Sequence, residues 1–212
     1  MPCRAVIFDF NGTLSDDEPI LYGIYAKLFA EHGRPLTEAD YYRHLAGLSD
    51  PEIVHRWLGR RDDAEQVVHE RVNRYREAAA DGSTIHACVR RAVADAAGRV
   101  PIAIVSGAAA GLTDLFTTVV TSDDISHGKP HPEGYLIALG HLRGRVGDLR
   151  AEEVTVFEDT EAGILAAKAA GMHCIAVSRT LPPDRLTAAD EIVAGIDQAV
   201  IDRILAVSVD DD

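Results

Sequence analysis

Near the N-terminus, residues 5–14 read AVIFDFNGTL, an apolar run that ends in an aspartate and then turns at a glycine. Four consecutive apolar residues followed at once by turn residues are typical of a short strand that is buried on both faces of a parallel sheet. Ligands of such sheets bind beyond the carboxyl ends of the strands. The position of Asp9 therefore makes it a candidate functional residue.

The same pattern returns along the chain. Further apolar runs at residues 101–105, 118–120, 153–157 and 173–177 are predicted strands, and they alternate with helix-like stretches at 85–97, 108–116, 132–142 and 161–170. Regular alternation of strand and helix predicts an α/β fold with a doubly wound parallel sheet, a Rossmann-like core.

One long segment breaks this alternation. From Asp17 to about Ala80 there is no strand-like run, whereas apolar residues recur at helical spacing. We therefore expect a catalytic core formed by residues 1–16 and 81–212 and a small inserted helical cap at 17–80. Turn residues at both boundaries are typical of hinges between a core and a lid.

Charge and hydropathy limit the partners. The 212-residue chain carries a net charge of -13, which disfavours binding to the nucleic-acid backbone. No apolar run approaches the roughly 20 residues that a membrane-spanning helix needs, so no membrane partner is expected. The first strand begins too early to leave room for a signal peptide, which predicts a cytoplasmic protein.

The residues that follow the predicted strands form a complementary set. Ser106 and Gly107 follow the second run, Lys129 precedes a proline, and Glu158-Asp159 follow the run at 153–157. Phosphoryl transfer uses such groups, because a carboxylate can attack phosphorus and hard oxygen ligands suit Mg²⁺. The Lys129 ammonium would neutralise phosphoryl oxygens, while the Ser106 hydroxyl and the Gly107 amide could hydrogen-bond one of them.

Four motifs in this order resemble those of the haloacid dehalogenase-like hydrolases, in the branch of phosphatases and phosphoglucomutases with a small helical cap. They are VIFDFNGTL at 6–14, IVSG at 104–107, GKPHP at 128–132 and FEDTEAGILAA at 157–167, and the resemblance extends over nearly the whole chain. It implies that Asp9 is the nucleophile and that Mg²⁺ is held by Asp9, the main-chain carbonyl of Asn11 and Asp159, with Glu158 assisting. The phosphate-binding residues implied are Asp9, Gly12, Ser106, Gly107 and Lys129.

One departure from the family pattern concerns Asn11, which stands where the family usually has a second aspartate. An amide cannot protonate the leaving oxygen, and general acid–base help is worth roughly 10²–10⁴-fold in rate. The sequence therefore predicts a slow Mg²⁺-dependent phosphatase that acts on a small phosphomonoester through an aspartyl-phosphate, with Asn11 in the catalytic set. Asp17 could substitute, although nothing in the sequence places it. The Asn11-Gly12 pair is also prone to deamidation, which would recreate an aspartate.

Two other functions stay open at this point. One is a catalytically impaired module that binds or senses phosphate, and the other is a sugar-phosphate phosphotransferase or mutase. Mutases of the family hold a second phosphate with a cap arginine, and Asp50 aligns there, which disfavours that function. The expected partner is a small phosphorylated metabolite, and the expected assembly is a monomer or weak dimer. His127, His131 and the other histidines show no spacing typical of a ligand set and are predicted to be solvated.

Overall fold

A computed structural model of the protein describes residues 2–105 and 113–206. Within these residues six strands form one sheet in which every neighbouring pair is parallel, in the order β3-β2-β1-β4-β5-β6. The strands are β1 (Ala5–Phe8), β2 (Ile102–Val105), β3 (Thr118–Val120), β4 (Val154–Glu158), β5 (His173–Val177) and β6 (Glu191–Val193). This confirms the predicted parallel α/β sheet.

Eight α-helices lie in the described part of the chain. They are α1 (Glu18–Glu31), α2 (Glu38–His44), α3 (Asp50–Leu58), α4 (Ala64–Ala78), α5 (Ala87–Arg99), α6 (Glu133–Val146), α7 (Glu161–Ala169) and α8 (Gln198–Ile204). The start of α7 is set by Thr160, whose hydroxyl accepts a hydrogen bond from the Gly163 amide at 3.1 Å. This cap fixes the helix directly after β4.

The central strand is buried on both faces because its side chains alternate between two apolar cores. Ala5 and Ile7 pack in one core, whose helical members come from α1–α4, α6 and α7. Val6 and Phe8 pack in the other, together with side chains of α5 and α8. Helices cover both faces of the sheet, which is the doubly wound arrangement.

Helices α1–α4 occupy the connection between β1 and α5, and the fully described residues 9–86 contain no strand of the sheet. Helix α4 packs against both α1 and α3. The chain leaves and rejoins the sheet side by side. The Asp16 amide donates to the Thr84 carbonyl at 2.8 Å, and the Ser15 hydroxyl donates to the Thr84 hydroxyl at 2.7 Å. The core and cap boundaries at 17–80 stay a prediction.

Two elements were not predicted, β6 and α8. Strand β6 has three residues, begins with a glutamate, and lies at the sheet edge with Ile192 36% exposed. The predicted helix at 108–116 lies mostly outside the described residues, and Thr113–Leu115 form a single 3₁₀ turn. Among the helices that the structure describes, none combines the length and apolar character needed to cross a membrane.

Candidate active site

The site begins where β1 and β4 end side by side. Phe8 pairs with Phe157 in the parallel register, and the Asp9 amide donates to the Phe157 carbonyl at 2.9 Å. Asp9 therefore leaves β1 at the same edge of the sheet at which Glu158 closes β4 and Asp159 follows it. All three carboxylates are buried, with relative exposures of 7%, 0% and 2%.

Lys129 reaches this edge from the loop that precedes α6. Its Nζ lies 2.5 Å from Asp9 Oδ1 and 2.5 Å from Glu158 Oε1. Burial alone lowers the pKa of the ammonium, but the two carboxylates outweigh it and hold the pKa of Lys129 above its usual value. Lys129 is thus a fixed cation between the ends of two strands.

Glu158 is held on both of its oxygens. Oε1 also accepts a hydrogen bond from the Tyr135 hydroxyl at 2.6 Å, and Oε2 accepts from the Asp159 amide at 3.1 Å and from the Thr160 amide at 3.3 Å. The first turn of α7 lies directly over the carboxylate, because a Cβ at Gly163 would stand 1.9 Å from Glu158 Cδ. Only a glycine fits at this point.

Asp159 is packed just as closely against the loop after β1, residues 9–14, which the sequence predicts to be the catalytic loop. The Thr13 hydroxyl donates to its Oδ1 at 3.2 Å. Gly12 has φ +72°, and a Cβ there would lie 1.9 Å from Asp159 Oδ2. Glycine at position 12 therefore allows both the left-handed turn and the close approach of this carboxylate.

The three carboxylates form a candidate cation site. One oxygen from each of Asp9, Glu158 and Asp159 lies within 4.8 Å of the others. Burial, opposed by Lys129 and aided by Glu158, raises the pKa of Asp9 to about 7. Burial and the neighbouring carboxylates raise the pKa of Asp159 well above its usual value. Buried oxygen donors that repel one another fit Mg²⁺, which prefers hard oxygen ligands and relieves such repulsion.

Asn11 is engaged by its side chain in a contact that the sequence did not reveal. Its Nδ2 donates to Asp17 Oδ2 at 2.6 Å and to the Tyr75 hydroxyl at 2.9 Å. The fully buried Asp17 also accepts a hydrogen bond from the Tyr75 hydroxyl and another from the Gly12 amide at 3.1 Å. Tyr75 lies on α4, so the helical segment reaches the catalytic loop through this cluster.

Ser106 and Gly107, the predicted phosphate-binding pair, lie outside the described residues. The structure brings together the remaining predicted residues, Asp9, Asn11, Gly12, Lys129, Glu158 and Asp159. Sequence reasoning missed Tyr135, because a tyrosine one turn into a helix gives no sign that its hydroxyl meets a carboxylate of another strand.

A cavity of about 450 Å³ opens over this edge and is walled on its other side by α1–α4. The helical wall presents Glu18, Tyr25, Asp50 and Arg71 among apolar neighbours. Arg71 Nε lies 3.3 Å from Asp50 Oδ1, and the Tyr25 hydroxyl donates to the same carboxylate at 2.6 Å. The wall therefore offers a neutralised ion pair and hydroxyl groups to whatever fills the cavity.

Comparison with known proteins finds similar sequences and folds over most of this chain. Residues 6–177 match the family described as haloacid dehalogenase-like hydrolase. A phosphorylated carbohydrates phosphatase of Thermotoga maritima is 30% identical over 81% of this chain and 83% of its own length. Hexitol phosphatase A of Escherichia coli is 27% identical over 96% of both chains. The crystal structure of a β-phosphoglucomutase from Clostridium difficile shares the fold, with a TM-score of 0.77, 21% identity and 97% coverage of both chains.

Proposed function

This chain belongs to the haloacid dehalogenase-like hydrolases, and on that premise we propose that it is a Mg²⁺-dependent phosphatase of a small phosphomonoester. The observation that carries the proposal is the meeting of Asp9, Lys129, Glu158 and Asp159 at one end of the sheet, beneath a cavity that admits a small molecule. In this proposal Asp9, the Asn11 carbonyl and Asp159 bind the ion, with Glu158 assisting.

The reaction proceeds in two steps. A carboxylate oxygen of Asp9 attacks phosphorus in line, the bond from phosphorus to the leaving oxygen breaks, and an aspartyl-phosphate forms. Water then attacks phosphorus and loses a proton to solvent, the bond from phosphorus to the Asp9 oxygen breaks, and hydrogen phosphate leaves with the Asp9 carboxylate restored. Bound Mg²⁺ supplies positive charge to the phosphoryl oxygens. Lys129 adds a second positive charge, and the Ser106 hydroxyl and the Gly107 amide hydrogen-bond the same group.

Asn11 sets the expected rate. The proton that the departing alkoxide needs cannot come from an amide, so turnover is slow by comparison with a site that has a carboxyl group there. Asp17, 2.6 Å from Asn11 Nδ2, is the carboxylate that contacts the catalytic loop at this point. We propose that it supports the residual proton transfer that Asn11 lacks.

The cavity wall and the relatives support a phosphorylated carbohydrate or polyol as substrate. Names of the relatives refer to carbohydrate and hexitol phosphates. Hydroxyl-rich substrates match the Asp50–Arg71 pair, which offers an acceptor beside guanidinium donors. Arg71 neutralises Asp50 in the same wall, so the acceptor of the phosphoryl group, water or a sugar phosphate, decides between the phosphatase and the mutase alternative.

The test is phosphate release from an aryl phosphate and from a panel of sugar and polyol phosphates, with Mg²⁺ and with a chelator. Fresh protein whose mass excludes deamidation at Asn11 must hydrolyse at least one of them, and Asp9→Asn must abolish release. Asp16→Asn, which changes a more exposed carboxylate beside the site, is the matched control and must still release phosphate. Turnover that survives Asp9→Asn would contradict the proposed nucleophile.

The rival function is a phosphate-binding or sensing module without useful turnover, and the engaged side chain of Asn11 is the observation that favours it. It predicts stoichiometric binding of a phosphate analogue with no release from any substrate. Phosphate transferred to a sugar phosphate in preference to water would instead reveal a mutase.

We also propose that residues 17–80 act as a cap over the cavity and that the protein is a cytoplasmic monomer or weak dimer. Sedimentation velocity over a range of protein concentrations measures the assembly. A stable tetramer would contradict it.

A further inference from the structure

A second group of metal-ligating side chains lies at the mouth of the cavity. His127 Nδ1 is 2.9 Å from Glu133 Oε2, and His131 Nδ1 is 3.8 Å from the same oxygen. The two imidazole rings have centroids 4.7 Å apart, and one ligand atom of each of the three residues lies within 4.8 Å of the others. Both histidines line the cavity.

Glu133 is held in place before any cation binds. Its Oε1 accepts a hydrogen bond from the Ser126 amide at 3.0 Å, and its Oε2 accepts from the His127 amide at 2.8 Å. These two amides fix the orientation of the carboxylate. A carboxylate oriented by its neighbours is a prepared ligand.

The donor types differ from those of the buried carboxylate cluster. Two imidazoles and one carboxylate are typical ligands of Zn²⁺, whereas an all-oxygen set suits Mg²⁺. Tetrahedral Zn²⁺ holds its ligands at about 2.0–2.2 Å, which places neighbouring ligand atoms roughly 3.3 Å apart. The two measured separations, 2.9 and 3.8 Å, lie on either side of that value. His131 Nδ1 accepts a hydrogen bond from the Glu133 amide at 3.3 Å, so an ion bound at that nitrogen replaces this bond.

We propose that His127, His131 and Glu133 form a second cation site that binds Zn²⁺ through three protein ligands and leaves the fourth position open toward the cavity. Its ligands flank Lys129 in the loop that leads to α6. Zn²⁺ therefore ties together the two sides of the loop that delivers Lys129 to Asp9 and Glu158.

The test is a titration with Zn²⁺, and in parallel with Co²⁺ as a spectroscopic probe, in excess Mg²⁺ that fills the oxygen site. Wild-type protein must bind one ion and give the visible absorption of tetrahedral Co²⁺. His127→Ala and His131→Ala must each weaken binding at least tenfold. His141→Ala, an exposed histidine of α6 that bonds Thr118 instead, is the control and must leave the affinity unchanged.

Two further variants separate this site from the proposed phosphatase centre. Glu133→Gln keeps the side-chain shape but removes the charge and must weaken binding, with circular dichroism as a check on folding. Asp9→Asn must leave the Zn²⁺ affinity unchanged even where it abolishes phosphate release. Absence of Zn²⁺ binding, or binding that neither histidine variant weakens, would overturn the proposal and leave Glu133 as a hydrogen-bonding clamp of the loop.

Discussion

The hydrogen bond from Asn11 to Asp17 gives the catalytic loop a carboxylate six residues beyond the position that was expected to hold one. The amide of Asn11 is a donor here, and Asp17 accepts from it, from Gly12 and from Tyr75. Since an aspartate is acceptor-only when ionised, residues 11 and 17 cannot both be ionised carboxylates in this geometry without repulsion.

Replacing Asn11 with Asp should therefore destabilise the protein. Two carboxylate oxygens would stand 2.6 Å apart in a buried place, so we expect the free energy of unfolding at pH 8 to fall by about 2 kcal/mol. The double variant Asn11→Asp/Asp17→Asn restores a donor opposite an acceptor, and it should recover stability and exceed the wild type in kcat. Urea unfolding and phosphate release measure both effects. If Asn11→Asp alone were as stable as the double variant, repulsion between carboxylates at positions 11 and 17 would be contradicted.

Glu18, in the cavity wall, should make stability depend on pH. Burial, opposed by the Tyr41 hydroxyl at 2.8 Å, raises the pKa of Glu18 from 4.5 to about 7. A carboxyl group with a raised pKa stabilises the fold below its unfolded pKa, and that stability is lost as the pH rises through the folded pKa. Glu18→Gln should thus be more stable than the wild type by about 3 kcal/mol at pH 8 and nearly equal at pH 4.5.

Urea unfolding at the two pH values measures this difference. The control is Glu77→Gln, which changes an exposed residue of α4. It should change the free energy of unfolding by the same small amount at both pH values. A Glu18→Gln effect that does not change with pH would refute the assignment.

At the scale of single elements, the start of α7 depends on the absence of a side chain at Gly163. Gly163→Ala would push a methyl group into the Glu158 carboxylate, because the built Cβ lies 1.9 Å from its Cδ. We expect loss of about 1–3 kcal/mol of stability and a fall in kcat of at least tenfold, as Glu158 moves from Lys129. Gly140→Ala in α6, where a Cβ meets nothing within 4 Å, should be neutral or stabilising. Equal effects of the two variants in kcat and in urea unfolding would disprove the steric argument.

Elements with strong apolar runs could be predicted from the sequence, and the short polar ones could not. Strands β1, β2, β4 and β5 are buried and nearly free of polar residues, so their pattern is visible along the chain. Strand β6 exists because it pairs with β5, not because Glu191–Val193 is apolar. The contact of Asn11 with Tyr75 spans 64 residues, and the approach of His127 to His131 depends on the path of a loop. Neither distance is encoded in local spacing.

At the scale of the whole molecule, three buried carboxylates share the single positive charge of Lys129, so a bound cation between them should stabilise the fold. Mg²⁺ at about 100 times its dissociation constant should stabilise the protein by about 2.7 kcal/mol, which corresponds to a rise in Tm of roughly 5–10 °C. Asp159→Asn should remove most of that rise, whereas Asp16→Asn should keep it. Calorimetry with Mg²⁺ and with a chelator measures the shift. An unchanged Tm on adding Mg²⁺ would contradict the proposed ion site.

The hydrogen bonds that join Ser15 and Asp16 to Thr84 make the two ends of the helical segment neighbours. These hydrogen bonds close the loop that the helical segment forms. The entropic cost of closing a loop rises only slowly with the number of residues in it. Evolution, or a protein engineer, can change the residues between these two points and so acquire new selectivity, provided that Tyr75 and the apolar contacts with Ala5 and Ile7 are kept.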